Sequence, residues 1–277
     1  MKTALVLGGG GVAGIAWETG VLAGLADEGV DVTGADRIIG TSAGAAVAAQ
    51  ITSGLPLDEL VERQLGPSHE ISADLDVGRL TAMFGAALRG ATNALQMRAS
   101  IGRASLDASS VTEAARLAVI EHRLPAHEWP AGRDVQIVAA DAESGEVRVF
   151  DGRDGTGLVD AVAASCAVPG VWPPVTIGDR RYVDGGVRSS TNGDLAAGAG
   201  VILVLAPVVD IPGIADPEVV EGFDAIDAVK LWLTPDEAST VAIGTNPLDP
   251  ATREPAVHAG RAQGRAAAAA VREIWPQ

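Results

Sequence analysis

The chain has 277 residues, 36 acidic against 20 basic, and its net charge of −16 excludes a nucleic-acid surface and electrostatic attraction to anionic membranes. Its length suits one large α/β domain better than two small ones, and with 47% apolar but only 3% aromatic residues the core must be Ala, Val, Leu and Ile. A single cysteine, Cys166, excludes an internal disulfide and fits a reducing compartment.

In chain order, Thr3 to Leu7 is a short apolar run that reads as a strand and stops at four consecutive glycines, Gly8 to Gly11. That run is too short for a signal peptide, and nothing approaches the roughly twenty apolar residues of a membrane span, so a cytoplasmic protein is expected. A helix over Ile15 to Glu28 follows. Loop amides and a helix N-terminus then share partial positive charge, a natural place for an anion. Gly9-x-Gly11-x-x-Gly14 also satisfies the dinucleotide-binding spacing, but Asp36 precedes the second strand, Arg37 to Ile39, and no acid closes it. A nucleotide-binding module stays open as an alternative reading.

The second strand runs into Gly40-Thr41-Ser42-Ala43-Gly44, a Gly-x-Ser-x-Gly turn in which small neighbours permit a sharp bend and leave the Ser42 hydroxyl accessible. A helix over Ala45 to Ile51 would place Ser42 at a positive helix end, although a serine there can equally be a cap. Residues 55–130 form a variable helical segment. Within it Leu80, Met83, Phe84, Ala87, Leu88, Ala91 and Leu95 share one helical face, which serves either as core packing or as a mobile cap lining an acyl pocket.

Further strands are predicted at Val135 to Ala140, Val147 to Phe150, a hairpin from Val175 to Val183, and Val201 to Ala206, with a helix over Leu158 to Ala167 in which Cys166 reads as a small buried residue. Pro207 to Pro217 reads as an exposed loop, and Ala251 to Trp275 as a long helix. Strands alternating with helices imply a mostly parallel sheet covered on both faces, with its site at the strands' C-terminal ends. Asp184-Gly185-Gly186 supplies a carboxylate at one more turn. A serine needs a base. Asp184 could serve directly if burial raises its pKa, and the order Ser42, Asp184, His258 also permits a triad; His69, His122 and His127 lie in less ordered sequence. No clustered His, Cys and Asp spacing calls for a metal.

Four blocks together resemble the patatin-like phospholipase family: Leu7 to Ala16 its oxyanion-hole loop, Gly40 to Gly44 its nucleophile elbow, Ala164 to Pro174 the approach to its aspartate, and Asp184-Gly185-Gly186 the aspartate motif. The resemblance implies one hydrolase domain over 1–277, a three-layer α/β/α fold with a mostly parallel sheet, and 55–130 as a cap-like insertion. It implies Ser42 as nucleophile, Asp184 as base, the amides of Gly9, Gly10 and Gly11 as oxyanion donors, and Gly40, Gly44, Gly185 and Gly186 as the glycines shaping both turns. The activity implied is cleavage of a carboxylic ester of a lipid, of phospholipase A or lysophospholipase type, through an acyl-serine. No cofactor or metal is needed, and any membrane contact is transient. One departure is Ala13, where the family usually carries Arg or Lys; it motivates a further alternative, a non-catalytic protein with an inherited fold.

Overall fold

The computed structural model describes residues 1–73, 77–106, 111–208 and 216–276. β1 (Thr3–Leu7) passes through the glycines into α1 (Gly11–Asp27), and β2 (Arg37–Thr41) passes through the serine turn into α2 (Ala43–Ile51). Four helices follow: α3 (Leu57–Leu65), α4 (Val77–Gly90), α5 (Ala94–Ser105) and α6 (Glu113–Arg123). Then come β3 (Asp134–Asp141), β4 (Val147–Phe150), α7 (Leu158–Ser165), β5 (Val175–Ile177), β6 (Arg180–Asp184) and β7 (Val201–Leu205). The chain closes with α8 (Pro217–Asp224), β8 (Val229–Leu233), α9 (Glu237–Ile243) and α10 (Arg253–Ile274).

β3, β2, β1, β7 and β8 are parallel neighbours, whereas β4 and β6 run antiparallel to β3. Side chains alternate across the sheet. Leu5, Leu7, Ile38, Leu203 and Leu205 face α1, α2, α7 and α10, while Ala4, Val6, Ile39, Ile202 and Val204 face Ala196 and Phe223. Helices therefore cover both faces in three layers, as expected.

Helix α1 starts at Gly11, ahead of the predicted Ile15, and is buried from Val12 to Leu25 because it lies between the sheet and α10. The two helices approach closely through paired glycines. A Cβ at Gly20 would stand 2.2 Å from the Val257 carbonyl oxygen, one at Gly24 2.1 Å from that of Arg261, one at Gly260 2.3 Å from that of Trp17, and one at Gly264 2.2 Å from that of Val21. The C-terminal helix thus packs on α1 rather than on the sheet itself.

The helical face expected around 80–95 is split. The first helix ends at Gly90 and Asn93 caps a second, its Oδ1 accepting from the Gln96 N–H at 2.9 Å. Ala87 is buried, with Met83, Phe84 and Ala91 packed against its cluster of Met97, Ile101, Ala140 and Val183, while the break leaves Leu88 and Leu95 exposed. Strand β8 was not anticipated: as an edge strand carrying Lys230 and a half-exposed surface, it lacks the continuous apolar run of its neighbours. Most of the loop expected over Pro207 to Pro217 lies outside the described residues, and Pro217 itself opens α8.

Candidate active site

The sheet brings Ser42 and Asp184 together by edge sharing. Ile137 and Val138 pair with both β2 and β4, and Ala139 and Ala140 pair with both β4 and β6. A strand has two edges, so β4 takes one of them, and β2 and β6 share the other end to end. Thr41 is opposite Val138, and Asp184, arriving from the opposite direction, is opposite the next residue, Ala139. The strand tips meet, and Ser42 is the first residue past one of them.

At that point the chain turns sharply into α2, with Ser42 at φ 54° and ψ −112°. A side chain other than glycine is strained there, and such strain persists only where neighbours over-determine it. Here they do. The Ser42 N–H donates to Ser165 Oγ at 2.9 Å, which donates onward to the Val138 carbonyl at 2.6 Å, and Cys166 Sγ donates to the Ser42 carbonyl at 3.1 Å. Gly44 passes so close under β1 that a Cβ would stand 2.1 Å from the Leu7 carbonyl oxygen. Buried Asn192 joins both halves, its Nδ2 donating to Thr41 Oγ1 at 3.1 Å and to the Gly185 carbonyl at 3.3 Å. Ser165 and Asn192 carry no motif, so sequence reading had no signal for them; Cys166, expected only as packing, also fastens the serine turn.

The Asp184 carboxyl is buried, accepts the Gly186 N–H at 2.7 Å, and has the Ser42 side chain as its other polar neighbour. Burial pushes its pKa up from 3.8 to about 6, against the pull of the Ser42 side chain and the Gly186 N–H. Among the four histidines, His258 is exposed on α10, His69 and His122 stack at 3.7 Å in a neighbouring cavity, and His127 meets the Glu121 carbonyl. The polar groups at the Asp184 carboxyl are the Gly186 N–H and the Ser42 side chain, and His258 lies on a separate helix.

The glycine loop crosses beside Ser42. Gly8 N–H donates to the Leu205 carbonyl at 2.9 Å and to Glu18 Oε1 at 2.8 Å, and the Gly8 carbonyl receives the Gly44 N–H at 2.8 Å. The Gly9 amide, expected among the free donors, is instead engaged with the Ser190 carbonyl at 2.8 Å. Gly10 and Gly11 open α1, where the first amides have no carbonyl one turn back, and Gly11 holds φ +63°. Glu18 is fully buried and burial raises its pKa well above the usual carboxylate range. Ala13 is buried in the core and its N–H donates to the Pro247 carbonyl at 3.0 Å, so the loop is anchored there by backbone in place of a cation.

Over Ser42 the cleft is narrow, with a free volume of about 20 Å³ between apolar walls that include Val12, Ile15, Ile71, Val168, Trp172 and Leu248. Arg116 and Arg123 complete its lining. Among the described residues there is no group of three or more His, Cys, Asp or Glu able to hold a metal ion, and no helix long and apolar enough to cross a membrane.

Among curated proteins no match to the chain was found. Among solved structures it is similar to VipD from Legionella pneumophila, with 13% identity and a TM-score of 0.46, covering 97% of this chain and 67% of that one. It is also similar to the type III effector protein ExoU, with 18% identity and a TM-score of 0.37, covering 95% of this chain and 53% of that one. The family model for patatin-like phospholipases matches residues 5–197, from β1 through the Ser42 turn and on past Asp184. Because that match takes in well over half of the sequence, the chain belongs to the patatin-like phospholipase family, a family of lipid acyl hydrolases.

Proposed function

We propose that this protein is a serine ester hydrolase of phospholipase A or lysophospholipase type that works through a Ser42–Asp184 dyad. The observation that supports this most is the placement of the Ser42 side chain beside a buried Asp184 carboxyl with a pKa of about 6. A carboxylate so raised is ionised at neutral pH yet basic enough to accept the serine proton as the alkoxide attacks the ester carbonyl. The Gly10 and Gly11 amides, at the positive end of α1, stabilise the oxyanion, while Gly9 holds the loop in shape through Ser190. The alcohol departs with the proton from Asp184, and a water activated by the same carboxylate releases the acid. The single hydrolase domain carries 55–130 as its cap, and the enzyme works in a reducing cytoplasm and meets lipid by transient contact.

Covalent labelling with a fluorophosphonate probe, alongside turnover of a short p-nitrophenyl ester, tests this on wild type, Ser42→Ala, Asp184→Asn and His258→Ala, each checked for folding. Labelling and turnover are expected to vanish in the first two variants and survive in the third. Absence of labelling in wild type would favour the non-catalytic or nucleotide-binding alternatives, and loss in His258→Ala would overturn the dyad.

A further inference from the structure

The cleft at Ser42 contains a charge that ester cleavage does not use. Arg116, on α6, is 5% exposed, and its guanidinium lies 4.0 Å from the centroid of the Trp172 ring. Its Nε and Nη1 are buried without a hydrogen-bond partner among the described residues. Glu70 Oε2 stands 3.6 Å from Nη1, an ion-pair distance too long for a hydrogen bond. That carboxylate is already taken: Arg123 donates to both of its oxygens, Nε at 2.9 Å and Nη2 at 2.7 Å. Arg123 also reaches Cys166 Sγ at 3.8 Å, directly behind the serine turn.

Two buried guanidinium groups thus share one carboxylate. Burial, and then repulsion from Arg123, lowers the Arg116 pKa to about 10, which still leaves it cationic near neutral pH. A buried charge with idle donors is costly unless something pairs with it. Both arginines line the Ser42 cleft, and a cavity of about 340 Å³ adjoins it, sharing Val12, Ile15 and Arg123 and bordered by Arg63 and Arg253. In a chain of net charge −16, four arginines against Glu62 and Glu70 leave the surroundings of Ser42 with a local excess of cations.

We propose that Arg116, held on Trp172 and backed by Arg123, forms a subsite for an anionic group, phosphate or carboxylate, carried by the substrate a few bonds from the scissile ester. Guanidinium N–H groups match the oxygens of either anion. This rests on the Ser42 hydrolase reading and specifies its substrate as an anionic ester.

The test compares 1-octanoyl lysophosphatidate with 1-octanoylglycerol, which share acyl chain and ester and differ by the phosphate. Wild type is expected to prefer the phosphate-bearing ester at least about tenfold in kcat/KM, and Arg116→Gln to reduce that preference by about tenfold, the scale of one charge-assisted contact. Equal kcat/KM for the two esters in wild type, or a preference that Arg116→Gln leaves unchanged, overturns the proposal. Inorganic phosphate should compete with the lysophosphatidate in wild type; competition without any substrate preference would mean a free anion, not a substrate-borne one, and also overturns it. If Arg116→Gln does not fold, calorimetry on Ser42→Ala decides: binding of lysophosphatidate that inorganic phosphate displaces supports the subsite, and its absence sinks it. Should wild type cleave neither ester while Ser42→Ala still binds phosphate, the hydrolase reading fails and the anion site stands.

Discussion

At Asp184 the fold holds a carboxyl where its ionised form is least welcome. Its folded-state pKa of about 6 lies above the ordinary 3.8. Below about pH 4 the group is protonated in folded and unfolded chains alike and imposes no penalty; as pH rises through 6 the folded chain must keep a buried carboxylate, and stability is lost. About two pKa units correspond to roughly 3 kcal/mol. Asp184→Asn is therefore expected to abolish turnover, to raise the unfolding free energy by about 1–3 kcal/mol at pH 8, and to change it little at pH 4, as read from urea denaturation. In wild type the acid limb of the kcat/KM profile should fall with an apparent pKa near 6. The turns that carry Ser42 and Asp184 were legible in sequence because each is flanked by glycines. Ser165 and Asn192 were not, since their hydrogen bonds exist only where distant turns meet. Nor could sequence tell that the Gly9 amide is consumed by the Ser190 carbonyl, a partner that the fold brings from far along the chain.

Among the elements, the central strands were readable because each is an apolar run buried on both faces and closed by glycine or a turn. β8 escaped because an edge strand tolerates Lys230 and exposure, and the 80–95 face misled because Gly90 ends its helix and restarts the periodicity. The α1–α10 seam was written as Gly20 and Gly24 on one helix and Gly260 and Gly264 on the other, yet which helix meets which is a tertiary fact. Gly264→Ala sets a methyl 2.2 Å from the Val21 carbonyl oxygen, so α10 must move off α1. The expected cost is about 1–3 kcal/mol, seen as a lowered Tm. Because the N-terminus of α1 carries the glycine loop, turnover of a short ester should fall with it; a variant with wild-type Tm and turnover would show that the seam yields without consequence.

For the molecule as a whole, one polypeptide covers both faces of its sheet and brings Ser42 and Asp184 to the meeting of two strand tips. The roughly 20 Å³ above Ser42 is about the room of a single water molecule. On the hydrolase reading an acyl chain needs more room than this, so displacement of the walls accompanies turnover and can set its pace. A chemist varying the alcohol would see this directly. Esters of one acid with phenols and aliphatic alcohols, whose leaving groups differ widely in acidity, should share nearly the same kcat, and raising solvent viscosity should slow them all together.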